Sequence, residues 1–242
     1  MDIRTMTNYA IGFLISLFIF PILLVTGIEL VTYDQTFYAG QYKRLNTSEE
    51  IGMTSEELIR VTKELTDYIR GRLDTMDQIE ADINGVTRPV FNEREKEHMV
   101  DVRALFRFAS NVRNISLLSL ICLFIILFYL SNKKPWKYFS AAYLVTAASL
   151  LLILIAAVPI VKSNFTYYWD QFHYLFFDND LWILNPETDI MIQMVPEPFF
   201  YSAVFRVLAY FGSGCFAIGL ASFLILRAAR KRSRNLISEE VK

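Results

Sequence analysis

Four long apolar runs decide what this chain is able to fold into: Tyr9–Leu30, Ile115–Leu130, Tyr138–Val161 and Tyr201–Leu226. A helix of about 20 apolar residues crosses a hydrocarbon core of about 30 Å, and inside that core each backbone N–H and C=O must be satisfied within its own segment. Each run therefore predicts a membrane-spanning helix. The first is longer than the apolar part of a secretory signal, and no small-x-small cleavage site follows it. It reads as a retained helix with Pro21 as a kink point. The fourth carries Ser213, Ala217 and Ala221 four residues apart, a stripe that favours close helix packing. With 54% apolar residues and a mean hydropathy of +0.32, the chain is too apolar for an ordinary soluble domain.

Charge sets the orientation. Lys133, Lys134 and Lys137 crowd the connection between the second and third runs, and Arg227, Arg230, Lys231, Arg232 and Arg234 follow the fourth. Basic residues concentrate on the cytoplasmic side, so both regions, and with them both termini, are expected there. The expected division is a tail and first span over 1–30, a first cap segment over 31–114, a second span over 115–131 and a cytoplasmic loop over 132–137. A third span over 138–161, a second cap segment over 162–200, a fourth span over 201–226 and a basic tail over 227–242 complete it. The fold class is an all-α membrane protein, with four transmembrane helices and a mainly helical extracytoplasmic cap.

The cap segments contain the polar chemistry. Thr54 and Glu57 have capping-box spacing ahead of Leu58, Val61, Leu65, Ile69 and Leu73, which share one helix face. That face is expected to bury against a helix over Phe91–Phe108 or against the second cap segment. Asn92 and Glu95 have the same box spacing, and on the helix they open, Glu95, His98 and Asp101 lie three residues apart on one face. The second segment is dense in rings, including Phe165, Tyr168, Trp169, Phe172, Phe177 and Trp182. These rings fit either an interfacial aromatic belt or an aromatic pocket at the outer surface. Asn185-Pro186-Glu187-Thr188-Asp189 reads as a turn, with Thr188 or Asp189 capping a short helix through Met194.

Several functions are disfavoured. A net charge of −1, with basic residues not interleaved with aromatics, gives no nucleic-acid surface. The first three runs hold no ionisable residue at their centres, where a transporter or proton pump needs them. Cys122 and Cys215 lie in apolar runs and are expected to be small buried hydrophobes. Glu95, His98 and Asp101 with His173 contain ligand types for a metal, but no metal-binding spacing supports one and none is assigned. Glu29 and Arg206 lie just inside the outer ends of their runs and are expected to be close in space, although either also fits interfacial anchoring.

His98 and His173 remain as acid/base candidates, because imidazole alone titrates unperturbed near neutrality. A lone histidine among aromatics, as His173 is, also fits a satisfied structural residue. No G-x-S-x-G is present and no serine adjoins either histidine, so a covalent acyl-enzyme is not indicated.

The run Glu93-Arg94-Glu95-x-x-His98-Met99-x-Asp101-Val102 is followed by Phe172-His173, Trp182-x-x-x-Pro186-x-x-Asp189 and Pro196-Glu197-x-Phe199-Phe200. This order of motifs resembles the Lit family of bacterial lipoprotein intramolecular transacylases. The resemblance implies an enzyme that moves the sn-2 acyl chain of a diacylglyceryl-lipoprotein to the α-amino group of its N-terminal cysteine, giving the lyso form. The family's two catalytic histidines carry over to His98 and His173, the only histidines in the chain. Supporting or substrate-binding roles are expected for Glu95, Asp101, Tyr168, Trp169, Trp182, Asp189, Tyr201 and Arg206. His98, flanked by Glu95 and Asp101, is favoured as base, with His173 on the oxygen side. No cofactor is implied. The expected partners are the lipoprotein and membrane lipid, with the oligomeric state open, and the site is expected at the outer cap-membrane boundary of a bacterial cell membrane. One straight upright helix would set His98 about 25 Å beyond Ile115 at ~1.5 Å per residue. Either that helix lies over or folds back on the bilayer, or the substrate is drawn up. The competing reading is a four-span sensor or assembly factor with a binding cap.

Overall fold

A computed structural model describes residues 2–240. Residues 1, 241 and 242 and the side chains of residues 233, 234 and 236–240 lie outside the described residues, Arg234 of the expected basic tail among them. The elements in chain order are α1 (Ile3–Thr32), α2 (Gln35–Leu45), α3 (Thr47–Ile51), α4 (Ser55–Arg70), β1 (Glu80–Ile83) and β2 (Val86–Pro89). They are followed by α5 (Glu93–Leu130), α6 (Pro135–Ser163), α7 (Phe165–Phe176), α8 (Ile190–Met194) and α9 (Glu197–Glu240). Four of these helices, α1, α5, α6 and α9, are long and apolar enough to cross a membrane. The chain divides into two compact units.

The first unit comprises Met1–Gly27, Asn111–Ser163 and Leu208–Lys242. Its interior is built on Ile15, Ile19, Leu127, Phe139 and Tyr143, with Leu23 and Ile218 packed against them. Gly12 permits the close approach of α1 to α6, since a Cβ there would lie 3.0 Å from the Tyr138 carbonyl oxygen. On α9 the close approach falls at Gly214, where a Cβ would meet Leu23 at 2.9 Å, and Ser222 is buried on the same face. The stripe of Ser213, Ala217 and Ala221 faces outward instead, so the packing face lies one residue further along. Cys122 is also exposed and Cys215 only half-buried, contrary to the expectation of two buried residues, because both sit toward the outer faces of their helices. Arg4 donates to the Leu130 carbonyl at 2.8 Å and to Asn132 Oδ1 at 2.6 Å, tying the start of α1 to the α5–α6 turn.

The second unit comprises Ile28–Ser110 and Asn164–Val207. Leu58, Val61 and Leu65 of α4 are buried, with Ile69 and Leu73 partly so, as their spacing predicts. The face packs on α2 and β1 rather than primarily on α5. Tyr42 and Thr62 hydroxyls meet at 2.7 Å across the first of these contacts, while Arg103 of α5 lies over the Tyr68 ring at 4.7 Å. Thr54 caps α4 by accepting from the Glu57 N–H. Glu57 does not close the box; its carboxylate accepts from the Asp82 N–H of the hairpin at 2.9 Å.

That hairpin is an addition to the helices expected. Its strands pair antiparallel from Glu80↔Pro89 to Ile83↔Val86 around an Asn84-Gly85 turn with φ of 56° and 83°. Two successive positive φ values are what a tight two-residue hairpin loop demands. Arg206 donates to Asp34 at 2.7 Å, and Glu29 accepts from Ser110 at 2.9 Å. The carboxylate closing on Arg206 at that distance is thus one outside the apolar runs.

Candidate active site

The site is assembled from the first turns of α5. The Asn92–Glu95 box closes in both directions: the Glu95 N–H donates to Asn92 Oδ1 at 3.0 Å, and the Asn92 N–H donates to Glu95 Oε2 at 2.7 Å. The other oxygen, Glu95 Oε1, accepts from the Met191 N–H at 2.7 Å, at the start of α8. Asn92 Nδ2 donates to Asp189 Oδ1 at 2.9 Å, and Asp189 Oδ2 accepts from the Asn185 N–H at 2.8 Å. Two buried carboxylates therefore stitch the start of α5 to the 185–191 segment. Burial raises the Glu95 carboxyl above its ordinary value, and the nearby Asp189 charge adds to this against the lowering effect of the Met191 and Asn92 N–H donors. Both oxygens of Glu95 are occupied by backbone donors and do not serve His98.

One turn further on, His98 enters a ring-lined enclosure. α5 is unbroken from Glu93 to Leu130, or about 57 Å of helix at ~1.5 Å per residue. Its charged first turns lie ahead of the apolar run at Ile115. His98 and His173, each 8% exposed, have ring centroids 6.3 Å apart. Phe177 packs on both, at 5.5 and 5.7 Å. Trp182 stacks on His173 at 4.6 Å with 19° between planes, and Trp169 and Phe172 meet its edges at 5.0 and 5.5 Å.

α7 fixes the state of His173. Its Nδ1 lies 2.8 Å from the Trp169 carbonyl oxygen one turn earlier. A carbonyl only accepts, so Nδ1 carries the proton and Nε2 of the neutral ring keeps its lone pair. Burial lowers the His173 pKa, while the bond to Trp169 and the Asp170 charge oppose the fall. His98 is lowered further. Burial and then the neighbouring His173 push it down to about 4, against the pull of Asp101 and with a smaller push from Arg94. Both shifts favour the neutral ring. Among the described residues, Nδ1 of His98 is buried with no hydrogen-bond partner.

Of the residues singled out in the sequence, His98, His173, Trp169 and Trp182 come together, and Asp101 acts on His98 by its charge. Glu95 and Asp189 are scaffold groups beside them. Tyr201 meets the edge of Phe165 at 5.7 Å, and Phe165 in turn stacks on Trp169. Tyr168 packs on Tyr167, and Arg206 lies over Phe37 at 5.1 Å while it pairs with Asp34. Tyr168 and Arg206 are thus held in other contacts. The residue missed is Asn179, whose Nδ2 donates to Asp101 at 2.8 Å and whose carbonyl accepts from Trp182 Nε1 at 3.0 Å. The available signal was the Asp178-Asn179-Asp180 turn directly after α7.

Fold and site together define a multi-pass helical membrane protein with a neutral, ring-enclosed histidine pair. The profile of the family described as lipoprotein intramolecular transacylase Lit matches residues 13–200, and the chain belongs to that family. It is accordingly an acyltransferase, which displaces the sensor or assembly-factor reading. The in meso structure of the membrane-integral Lit from Bacillus cereus is similar in fold, at 23% identity and a TM-score of 0.68, covering 94% of this chain and 98% of that one. Structures of the same protein with one histidine replaced by arginine or by alanine are similar at 21% and 22% identity, each with a TM-score of 0.67. They cover 94% of this chain and 94% and 96% of theirs. No curated protein matches the sequence.

Proposed function

We propose that the chain transfers the sn-2 acyl group of a diacylglyceryl-lipoprotein to the α-amino group of its N-terminal cysteine, with His98 and His173 as the acid/base pair. The observation that carries this reading is the neutral pair itself, 6.3 Å apart among stacked rings, with a lone pair on His173 Nε2. An α-amino group has a pKa of about 7.7–8.0 and is largely protonated at neutral pH, so its attack on an ester needs a base. The ammonium first gives one proton to solvent; the amine nitrogen then bonds to the ester carbonyl carbon while a second N–H proton passes to His173 Nε2. The tetrahedral carbon then releases the sn-2 oxygen, which takes that proton from the His173 imidazolium, and an amide remains. Water is not consumed. His98, neutral, donates an N–H to the oxyanion or the departing oxygen. Ester and amine belong to one molecule, so proximity is supplied by folding the glyceryl linker against the rings, and no enzyme nucleophile is required.

This division reverses the one favoured by sequence spacing. Glu95 is taken up by backbone N–H groups and Asp101 by Asn179, so neither makes His98 a strong base. His173, with its Nδ1–H held by a carbonyl and Asp170 nearby, is the more basic ring. We place the cap segments 31–114 and 162–200 on the outer side and both termini in the cytoplasm. The Arg4 bonds to the α5–α6 turn support a shared side for the N-terminus and the basic loop. The unbroken run of α5 from Glu93 to Leu130 supports a helix lying over the bilayer or a raised ester rather than a fold-back.

The test is mass spectrometry of the N-terminal peptide of a lipoprotein co-expressed with this chain in cells lacking other N-acylating activity. An N-acyl, S-monoacylglyceryl cysteine is expected, and its loss in His98→Ala and in His173→Ala at normal membrane expression. Unconverted substrate with the parent chain, or full conversion by either variant, refutes the scheme.

A further inference from the structure

Asp101 stands three residues beyond His98 on α5, the spacing that places a carboxylate beside an imidazole on one helix face. Among the described residues no ion pair closes between them, and Nδ1 of His98 is left without a partner. The carboxylate is engaged elsewhere: its Oδ2 accepts from Asn179 Nδ2 at 2.8 Å. Asn179 is itself fixed, because its Oδ1 accepts from the Leu181 N–H at 3.1 Å and its carbonyl accepts from Trp182 Nε1 at 3.0 Å. Trp182 is the ring stacked on His173. One residue of the 177–189 segment thus holds both the carboxylate beside one histidine and the indole against the other.

We propose that Asn179 is a positioning residue: by capturing Asp101 it keeps that carboxylate off the His98 ring and so keeps His98 neutral and unpaired. A carboxylate that closes on an imidazole favours the imidazolium, and that would cost the pair its neutral donor. The charged and titratable groups facing His98 are Arg94 and Asp101 from α5 and His173 from α7, with Asp170 beside His173. Arg94 is turned toward the same segment as Asn179, meeting Asp180 Oδ1 at 3.3 Å and the Ile183 carbonyl at 3.3 Å. With Arg94 held there, Asp101 is the group whose release would change the field at His98. The inference rests on the acid/base reading for what a neutral His98 is used for, but its test does not depend on turnover.

The chain, labelled at its two histidine rings, gives two imidazole resonances to follow by NMR in detergent micelles as pH is varied. The parent His98 is expected to titrate near its low value of about 4. In Asn179→Ala its midpoint is expected to rise by one pH unit or more, and in the double variant Asn179→Ala/Asp101→Asn to fall back to or below the parent value. Asp101→Asn alone is expected to move it by less than in the Asn179→Ala background. Asn179→Ser keeps a short acceptor for Leu181 but cannot reach Asp101, and should repeat the rise should the alanine variant fail to fold. An unmoved midpoint, or a rise that persists without the Asp101 carboxylate, overturns the proposal. An unmoved titration beside intact conversion sinks this proposal alone, whereas the expected titration in a chain without transacylase activity sinks the reading of the site.

Discussion

Replacing His98 with glutamine should remove a specific part of the protein's sensitivity to acid. The ring is 8% exposed, and its pKa falls from 6.5 to about 4 on burial, so the folded state binds fewer protons than the unfolded state between those values. For a depressed pKa the associated stability is fully present above 6.5 and is lost as pH falls toward 4. At 1.36 kcal/mol per pH unit that window amounts to about 3 kcal/mol, of which about 2 to 3 kcal/mol is lost between pH 7 and pH 4.5. Reversible unfolding in mixed micelles, followed by circular dichroism at those two pH values, measures it. The parent should lose about 2 to 3 kcal/mol more than His98→Gln on acidification, with His173 contributing to both proteins. Equal losses would mean that His98 is not held neutral by burial, and the electrostatic account of the pair would fail with it.

Trp182→Ala removes the ring stacked on His173 and the bond to the Asn179 carbonyl, and is expected to lower the rate of lipoprotein conversion about tenfold while Trp182→Phe keeps most of it. Gly12→Val forces a side chain against the Tyr138 carbonyl and should cost about 1–3 kcal/mol of stability; Gly212→Val, with open space around its Cβ position, should cost little in the same unfolding assay. Asp34 both caps α2, through the Thr36 and Phe37 N–H groups, and pairs with the partly exposed Arg206. Asp34→Asn, which keeps the cap, should cost under about 1 kcal/mol, and Asp34→Ala about 1–2 kcal/mol.

What the sequence made legible is what is local. The four spans follow from run length, the α4 face from periodicity, and the Asn92–Glu95 box from a three-residue spacing whose two hydrogen bonds both form. The histidines were found because the chain has only two. Hidden from it was the choice each polar group makes among distant partners. Glu95 shares a helix face with His98, yet its oxygens go to Asn92 and Met191, since a buried carboxylate gains most from otherwise unsatisfied N–H groups. Asp101 likewise turns to Asn179, 78 positions away. Asn84-Gly85 has the residue types of a tight hairpin turn, but the strands are four residues each and only β1 alternates, β2 being exposed throughout, so the pair was too short to stand out. On α9 small residues occupy neighbouring faces, and composition does not say which of them meets Leu23.

Two of the chain's three tryptophans lie against one imidazole, Trp182 face to face and Trp169 at its edge. A cation resting on the face of an indole is drawn to its π electrons, so in the proposed scheme Trp182 would favour the imidazolium formed when His173 takes the amine's proton. The same stacking makes the protein its own indicator. An imidazolium quenches indole fluorescence more strongly than a neutral ring, so the brightness of the unlabelled enzyme should dim as His173 gains its proton.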